Sequence, residues 1–167
     1  MKKFVCFVFF VVSTFAGDLT MSFDNAKDLS IKIPNDFRIN LEDIISFENK
    51  NGDSIIIRTR KTKAKKISEN YAKKICDLEL KSFKNSKVDS KQISCDLIKF
   101  DKFTAVNSIT AHLASIENID NIDFATRAVY FFHNDNLVLI GFFYSSLDRL
   151  ENIKEIQDEV LNSIDIN

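Results

Sequence analysis

The sequence predicts an α+β fold: a three-layer α/β/α sandwich whose central, mostly antiparallel sheet lies between two long amphipathic helices. Two observations carry that reading. Segments 68–83 and 145–164 space their apolar residues as helices do, so each needs a surface to bury against. Phe124 to His133 and Leu137 to Ser145 are apolar at odd and even positions alike, as in "AVYFF" and "LVLIGFFY". That pattern belongs to strands covered on both faces, which places the sheet between layers.

The elements follow in chain order. Lys2 and Lys3 precede an apolar run from Phe4 to Val12, with small residues at Thr14 and Ala16. This is the layout of a secretory signal peptide, residues 1–16, cleaved after Ala16. The run is too short for a bilayer, which needs about 20 apolar residues, so no transmembrane span is expected after cleavage. Cys6 stands at the front of the run, not at its end where a lipidated cysteine would sit. The expected location is the periplasm, and residues 17–167 form one domain, without a linker or internal repeat.

"LSIKIPNDF" alternates Leu29, Ile31 and Ile33 with polar residues, a half-buried strand that Pro34, the only proline, stops in a turn. Asn51-Gly52 lies between two apolar segments, a hairpin signal for a type I′ turn with positive φ at both central residues. Strands are expected near Ile44 to Glu48 and Ser54 to Arg60. From about Ser68 to Phe83 the period turns helical: Ile67, Tyr71, Ile75 and Leu78 make one line, and Ala72, Cys76, Leu80 and Phe83 a second.

In "KQISCDLIKF", Ile93, Cys95 and Leu97 share a strand face. "FTAVNSITAHLA" sorts Phe103, Ala105, Ile109, Ala111 and Leu113 onto a core face and Thr104, Val106, Ser108, Thr110 and His112 onto the other. After the two strands apolar at both parities, Ser145 and Asp148 resemble a capping box. Leu147, Leu150, Ile153, Ile156, Val160 and Ile164 then line the second helix.

Without Cys6, two cysteines remain in a chain bound for an oxidising compartment, which favours pairing. Cys76 sits in the apolar arc of the first helix and Cys95 on a strand facing it, so a Cys76–Cys95 bridge and two buried thiols both remain open. A bridge would stabilise the fold by about 3 kcal/mol in the chain-entropy description.

The strand ending Ile31-Lys32-Ile33-Pro34-Asn35-Asp36-Phe37, the helix after the first hairpin, the long meander and the helix after "LVLIGFFYSS" together resemble the Mog, PsbP and DcrB-like proteins. The likeness spans roughly Ser30 to Asp165. It departs at Asn35 and Phe37, where the family phrase often has Gly and Trp, and the chain has no tryptophan. The resemblance implies the α/β/α sandwich and a non-enzymatic binding or assembly role. It carries over no functional residue.

Chemistry finds little support in the residues. His112 and His133 are the only histidines, and no nucleophile elbow accompanies a Ser108/His112 pair. The glycines, Gly17, Gly52 and Gly141, form no phosphate loop. Cys76, Cys95, His112 and His133 lack close ligand spacing, and Glu117, Asp120 and Asp123 lack the pattern of a calcium loop. No cofactor, metal or catalytic residue is expected, and export argues against nucleic acid.

Two surfaces remain. Arg58, Arg60, Lys61, Lys63, Lys65 and Lys66 run off a strand into the start of the first helix, where positive charge opposes the helix dipole. They form a candidate docking patch for an acidic partner or an anionic surface. Thr104, Ser108, Thr110 and His112 form a candidate groove face. The resulting expectation is an exported, non-enzymatic binding or assembly module of the bacterial envelope, acting on an unknown envelope protein. A carrier of a small apolar ligand between sheet and helix comes second and a hydrolase-type enzyme third.

Overall fold

A computed structural model describes residues 19–23, 26–40, 46–64, 66–84, 88–116, 119–146, 149 and 154–166. The expected signal peptide and Lys65 lie outside these residues. The ten described strands form two sheets. The larger contains β3 (Phe37–Asn40), β4 (Ser46–Asn49), β5 (Ser54–Lys61), β6 (Val88–Lys99), β7 (Thr104–Ile116), β8 (Ile119–His133) and β9 (Asn136–Tyr144). Its order is β3-β4-β5-β9-β8-β7-β6, and every pair is antiparallel. The smaller has the order β1-β2-β10, from β1 (Leu19–Phe23), β2 (Ala26–Ile33) and β10 (Asp165–Ile166). The helices are α1 (Glu69–Lys84) and α2 (Lys154–Asn162).

The three-layer α/β/α sandwich with two long helices is overturned. Strand dominates the chain, α1 has 16 residues and α2 only 9. One face of the large sheet is covered by the small sheet together with α2, not by a long helix. The apolar stripe runs on past α2 because Ile164, although beyond the helix, still points inward and is buried. At the end of α2, Ser163 Oγ donates to Val160 O (2.7 Å) and accepts from Lys32 N (3.0 Å), turning the chain into β10 beside β2. Leu147, Leu150 and Ile153, expected in the same helix, lie outside the described residues.

The main core fills the space under the small sheet and α2. Leu29, Ile31 and Ile33 of β2 meet Phe47, Ile55, Phe131, Val138, Ile140 and Phe142 of the large sheet, with Val160 and Leu161 of α2 closing the side. Phe47, Phe131 and Phe142 are fully buried, and each such side chain contributes about 1.5–3 kcal/mol of transfer free energy. Pro34 O accepts from Phe37 N (3.1 Å), a tight turn that carries the chain from the small sheet into the large one.

The hairpin turns differ from the expected assignment. Gly52 has φ of 80°, and Asn51 is not among the residues with positive φ. Gly52 N donates to Asn49 O (3.1 Å) and Asn49 N to Asp53 O (3.0 Å). This is a three-residue loop with a left-handed third position, so only glycine's freedom at 52 is needed. The two-residue turn with positive φ at both positions lies instead at Asn134 (43°) and Asp135 (59°), between β8 and β9.

The second face of the large sheet carries α1. Ser68 Oγ accepts from Tyr71 N (3.3 Å) and caps the helix start. Ala72 and Ile75 bury against Val106 of β7, with Tyr71 and Tyr130 at the margins. A disulfide joins Cys76 to Cys95 on the edge strand β6, with Cα atoms 6.0 Å apart. β6 carries a bulge between Gln92 and Ser94, so Ile93 does not share the face of Cys95 and Leu97 and stands exposed.

Candidate functional site

The helix α1 is held over β6 and β7, at one end of the large sheet, and this position leaves a site beside it over the central strands β8, β9 and β5. Its last contacts toward the sheet centre are Tyr71 against the ring of Phe132 (5.3 Å) and Glu79, whose carboxylate accepts a short hydrogen bond from the Tyr130 hydroxyl. Beyond that line, no helix among the described residues lies above β9, β5, β4 and β3. On β9 the inward residues Val138, Ile140, Phe142 and Tyr144 are buried, whereas Leu137 and Leu139 on the other parity are half-buried and Phe143 is 36% exposed. A strand apolar at both parities was expected to be dry on both sides; here one flank is partly wet.

The opening is a groove of about 120 Å³ between α1 and β5, lined by Ile56, Arg58, Glu79, Tyr130, Leu139, Gly141 and Phe143 among others. Strand register builds it in rows. Ile56, Gly141 and Ala128 are cross-strand neighbours, and so are Arg58, Leu139 and Tyr130. Gly141 leaves a notch in the floor: a Cβ there would lie 3.5 Å from Phe143 Cε2, an ordinary contact, and its φ needs no glycine. Burial pushes the Glu79 carboxyl above its ordinary range, and the Tyr130 hydrogen bond pulls it part of the way back. Burial, reinforced by the Glu79 charge, raises the Tyr130 hydroxyl, against a smaller opposing effect of Arg58.

Of the basic stretch, Arg58, Arg60, Lys61, Lys63 and Lys66 are exposed. Arg58 and Arg60 pair in register with Leu139 and Leu137 and so stand on the groove side of β5. The chain beyond β5 is tied down by Thr62 N donating to Asp135 O (2.8 Å). The spacing of Arg58 and Arg60 was legible in the sequence; their meeting with Leu139 and Leu137 was not, because it depends on the β5–β9 pairing across about 80 residues.

The other candidate face is filled by the protein itself. Thr104 is exposed, but Ser108, Thr110 and His112 are buried. Ser90 Oγ lies 2.8 Å from His112 Nδ1 and Thr126 Oγ1 2.9 Å from Nε2, and the imidazole stacks on Phe124 at 4.5 Å. Gln92 Nε2 donates to Ser108 Oγ (3.4 Å). Burial holds the His112 ring below its ordinary pKa. His133 is buried at the end of β8, its Nε2 3.0 Å from Asn134 Nδ2.

Sequence reasoning also missed a buried guanidinium on the core face. Arg127 Nε donates to Asn107 Oδ1 (2.7 Å), and its Nη1 donates to Gln157 Oε1 (2.5 Å) and Asp158 Oδ1 (3.1 Å) of α2. This network fastens α2 to the sheet.

Comparison with known proteins gives a likeness of fold. The cyanobacterial PsbP (CyanoP) of Synechocystis sp. PCC 6803 superposes with a TM-score of 0.69 at 12% identity, covering 92% of this chain and 94% of that one. The Ran-binding protein Mog1p of Saccharomyces cerevisiae superposes with a TM-score of 0.57 at 11% identity, covering 83% and 90%. A protein of unknown function from Pseudomonas aeruginosa gives 0.51 at 13% identity, covering 89% and 96%. No family model and no curated protein sequence matches the chain. The resemblance to the Mog and PsbP proteins read from the sequence thus stands at the level of fold.

Proposed function

We propose, from the fold it shares with PsbP and Mog1p, that this protein is an exported, non-enzymatic binding module of the bacterial envelope that docks another protein on the open flank beside α1. The observation that carries the reading is the half-exposed apolar strip of Ile56, Leu139 and Phe143 lying next to the exposed Arg58. Apolar surface left uncovered and rimmed by charge is what interaction sites present. The Ran-binding description of Mog1p supports a protein-docking use of this fold. The leader-like residues 1–16 support export.

The apolar-ligand carrier receives less support. The groove holds about 120 Å³, and depressions at Lys32/Pro34 and at Phe100/Leu161 hold about 280 and 230 Å³. Small-molecule sites run from roughly 300 to 1,000 Å³.

Site-specific photo-crosslinking tests the proposal. The full chain, carrying a benzophenone amino acid at Phe143 or, as a control, at Asp101, is expressed in the source bacterium and irradiated. A discrete protein adduct from position 143, absent from 101, in a periplasmic fraction whose N-terminus begins at Gly17, is expected. Identical patterns from both positions overturn the docking reading, and retention in the cytoplasm overturns export.

A further inference from the structure

We infer that the occupant of the groove is an acidic amphipathic helix, which sets one apolar side chain over Gly141 and a carboxylate on Arg58. The inference rests on the docking reading above and names the chemistry of its partner.

Shape argues for a single apolar anchor. The floor row of Ile56, Gly141 and Ala128 has nothing beyond Cα at its centre, while Phe143 and Leu139 rise on either side along β9. The resulting notch of about 120 Å³ has the size of one large side chain. Such a side chain would bury the exposed part of Phe143 as well as itself.

Charge selects the flanking residue. Arg58 stands one register row from the notch, and Arg60 continues the same face of β5 one row further on. Among the described residues neither arginine forms a salt bridge. Glu79, which lines the groove with Arg58, is engaged by Tyr130, and Glu48 faces Arg38 across β3 and β4. The mouth of the groove is therefore basic, and a guanidinium over apolar ground favours a carboxylate.

Width and pitch select a helix. Four strands, β9, β5, β4 and β3, lie beyond α1, and at about 4.8 Å per interval they offer about 14 Å, enough for a helix about 10 Å across laid beside α1. The diagonal from Gly141 to Arg58 is about 7–8 Å. That distance suits an anchor and an acid one helical turn apart.

The test uses the mature, disulfide-bonded chain and three labelled 16-residue helical peptides, followed by fluorescence anisotropy. The first has a Leu/Phe stripe flanked by Glu, the second the same stripe flanked by Lys, and the third Glu with the stripe replaced by Ser. The first alone is expected to bind, at least tenfold more tightly than the others, and more weakly as salt rises. Gly141→Leu, which fills the notch, and Arg58→Glu/Arg60→Glu, which reverses the rim, are each expected to cost tenfold or more at unchanged circular dichroism. If Gly141→Leu disturbs folding, the exposed arginine pair still decides. Equal binding of the lysine peptide, no binding of the first peptide, or indifference to the arginine reversal overturns the inference. A crosslink from Phe143 together with any of these outcomes removes the acidic helix alone; a missing crosslink removes the docking reading beneath it.

Discussion

His112 shows how one buried side chain makes stability depend on pH. In the unfolded chain the ring takes its proton near pH 6.5, whereas in the fold burial holds the ring below that value. The unfolded state therefore binds more protons as pH falls, so the contribution of His112 is complete above about 6.5 and is lost as pH drops toward the folded value. Glu79 acts with the opposite sign, since its carboxyl is raised in the fold. The two separate in a variant: His112→Gln is expected to lower urea stability at pH 7.5 by about 1–3 kcal/mol, because Ser90 and Thr126 lose geometry, and by less at pH 5. An equal loss at both pH values would show that the ring does not titrate with folding. Arg127 presents a different case, a charge that Asn107, Gln157 and Asp158 satisfy in place of water.

Among the elements, α1 depends most on a single bond. Its buried face is small, Ala72 and Ile75 against Val106, while Leu78 is exposed. The Cys76–Cys95 disulfide closes a separation of 19 residues and fixes the helix to an edge strand. Cys95→Ser is expected to lower unfolding free energy by about 3 kcal/mol, read as a lower urea midpoint with the sheet's circular dichroism kept. An unchanged midpoint would mean that packing alone holds α1. The sequence showed this helix and its facing strand clearly, because the 3.6-residue period and the two cysteines are local signals. β3 and β10 were not legible. Phe37–Asn40 and Asp165–Ile166 are too short for alternation to register, and their partners lie elsewhere in the chain.

At the scale of the molecule, the error in fold class and the finding of the groove have the same origin. Apolar residues at both parities of β9 were read as two covered faces, yet sequence does not report where along a sheet a helix will stop. α1 stops over β6 and β7, so the surplus apolar side chains Leu139 and Phe143 became surface. Chain-wide cohesion runs through β8 and β9, which are central in the seven-stranded sheet and supply the core residues Val129, Phe131, Val138 and Ile140. Amide exchange is therefore expected to be slowest there and fast in β10, whose ladder comprises two residue pairs. Slow exchange in β10 with rapid loss in β8 would contradict this distribution of stability.

The small sheet also fixes how the molecule can be handled. Leu19 and Ile166 both belong to it, on the side of the large sheet away from the groove. A tag, a fusion or an immobilising surface attached near either end leaves Phe143 and Arg58 presented outward.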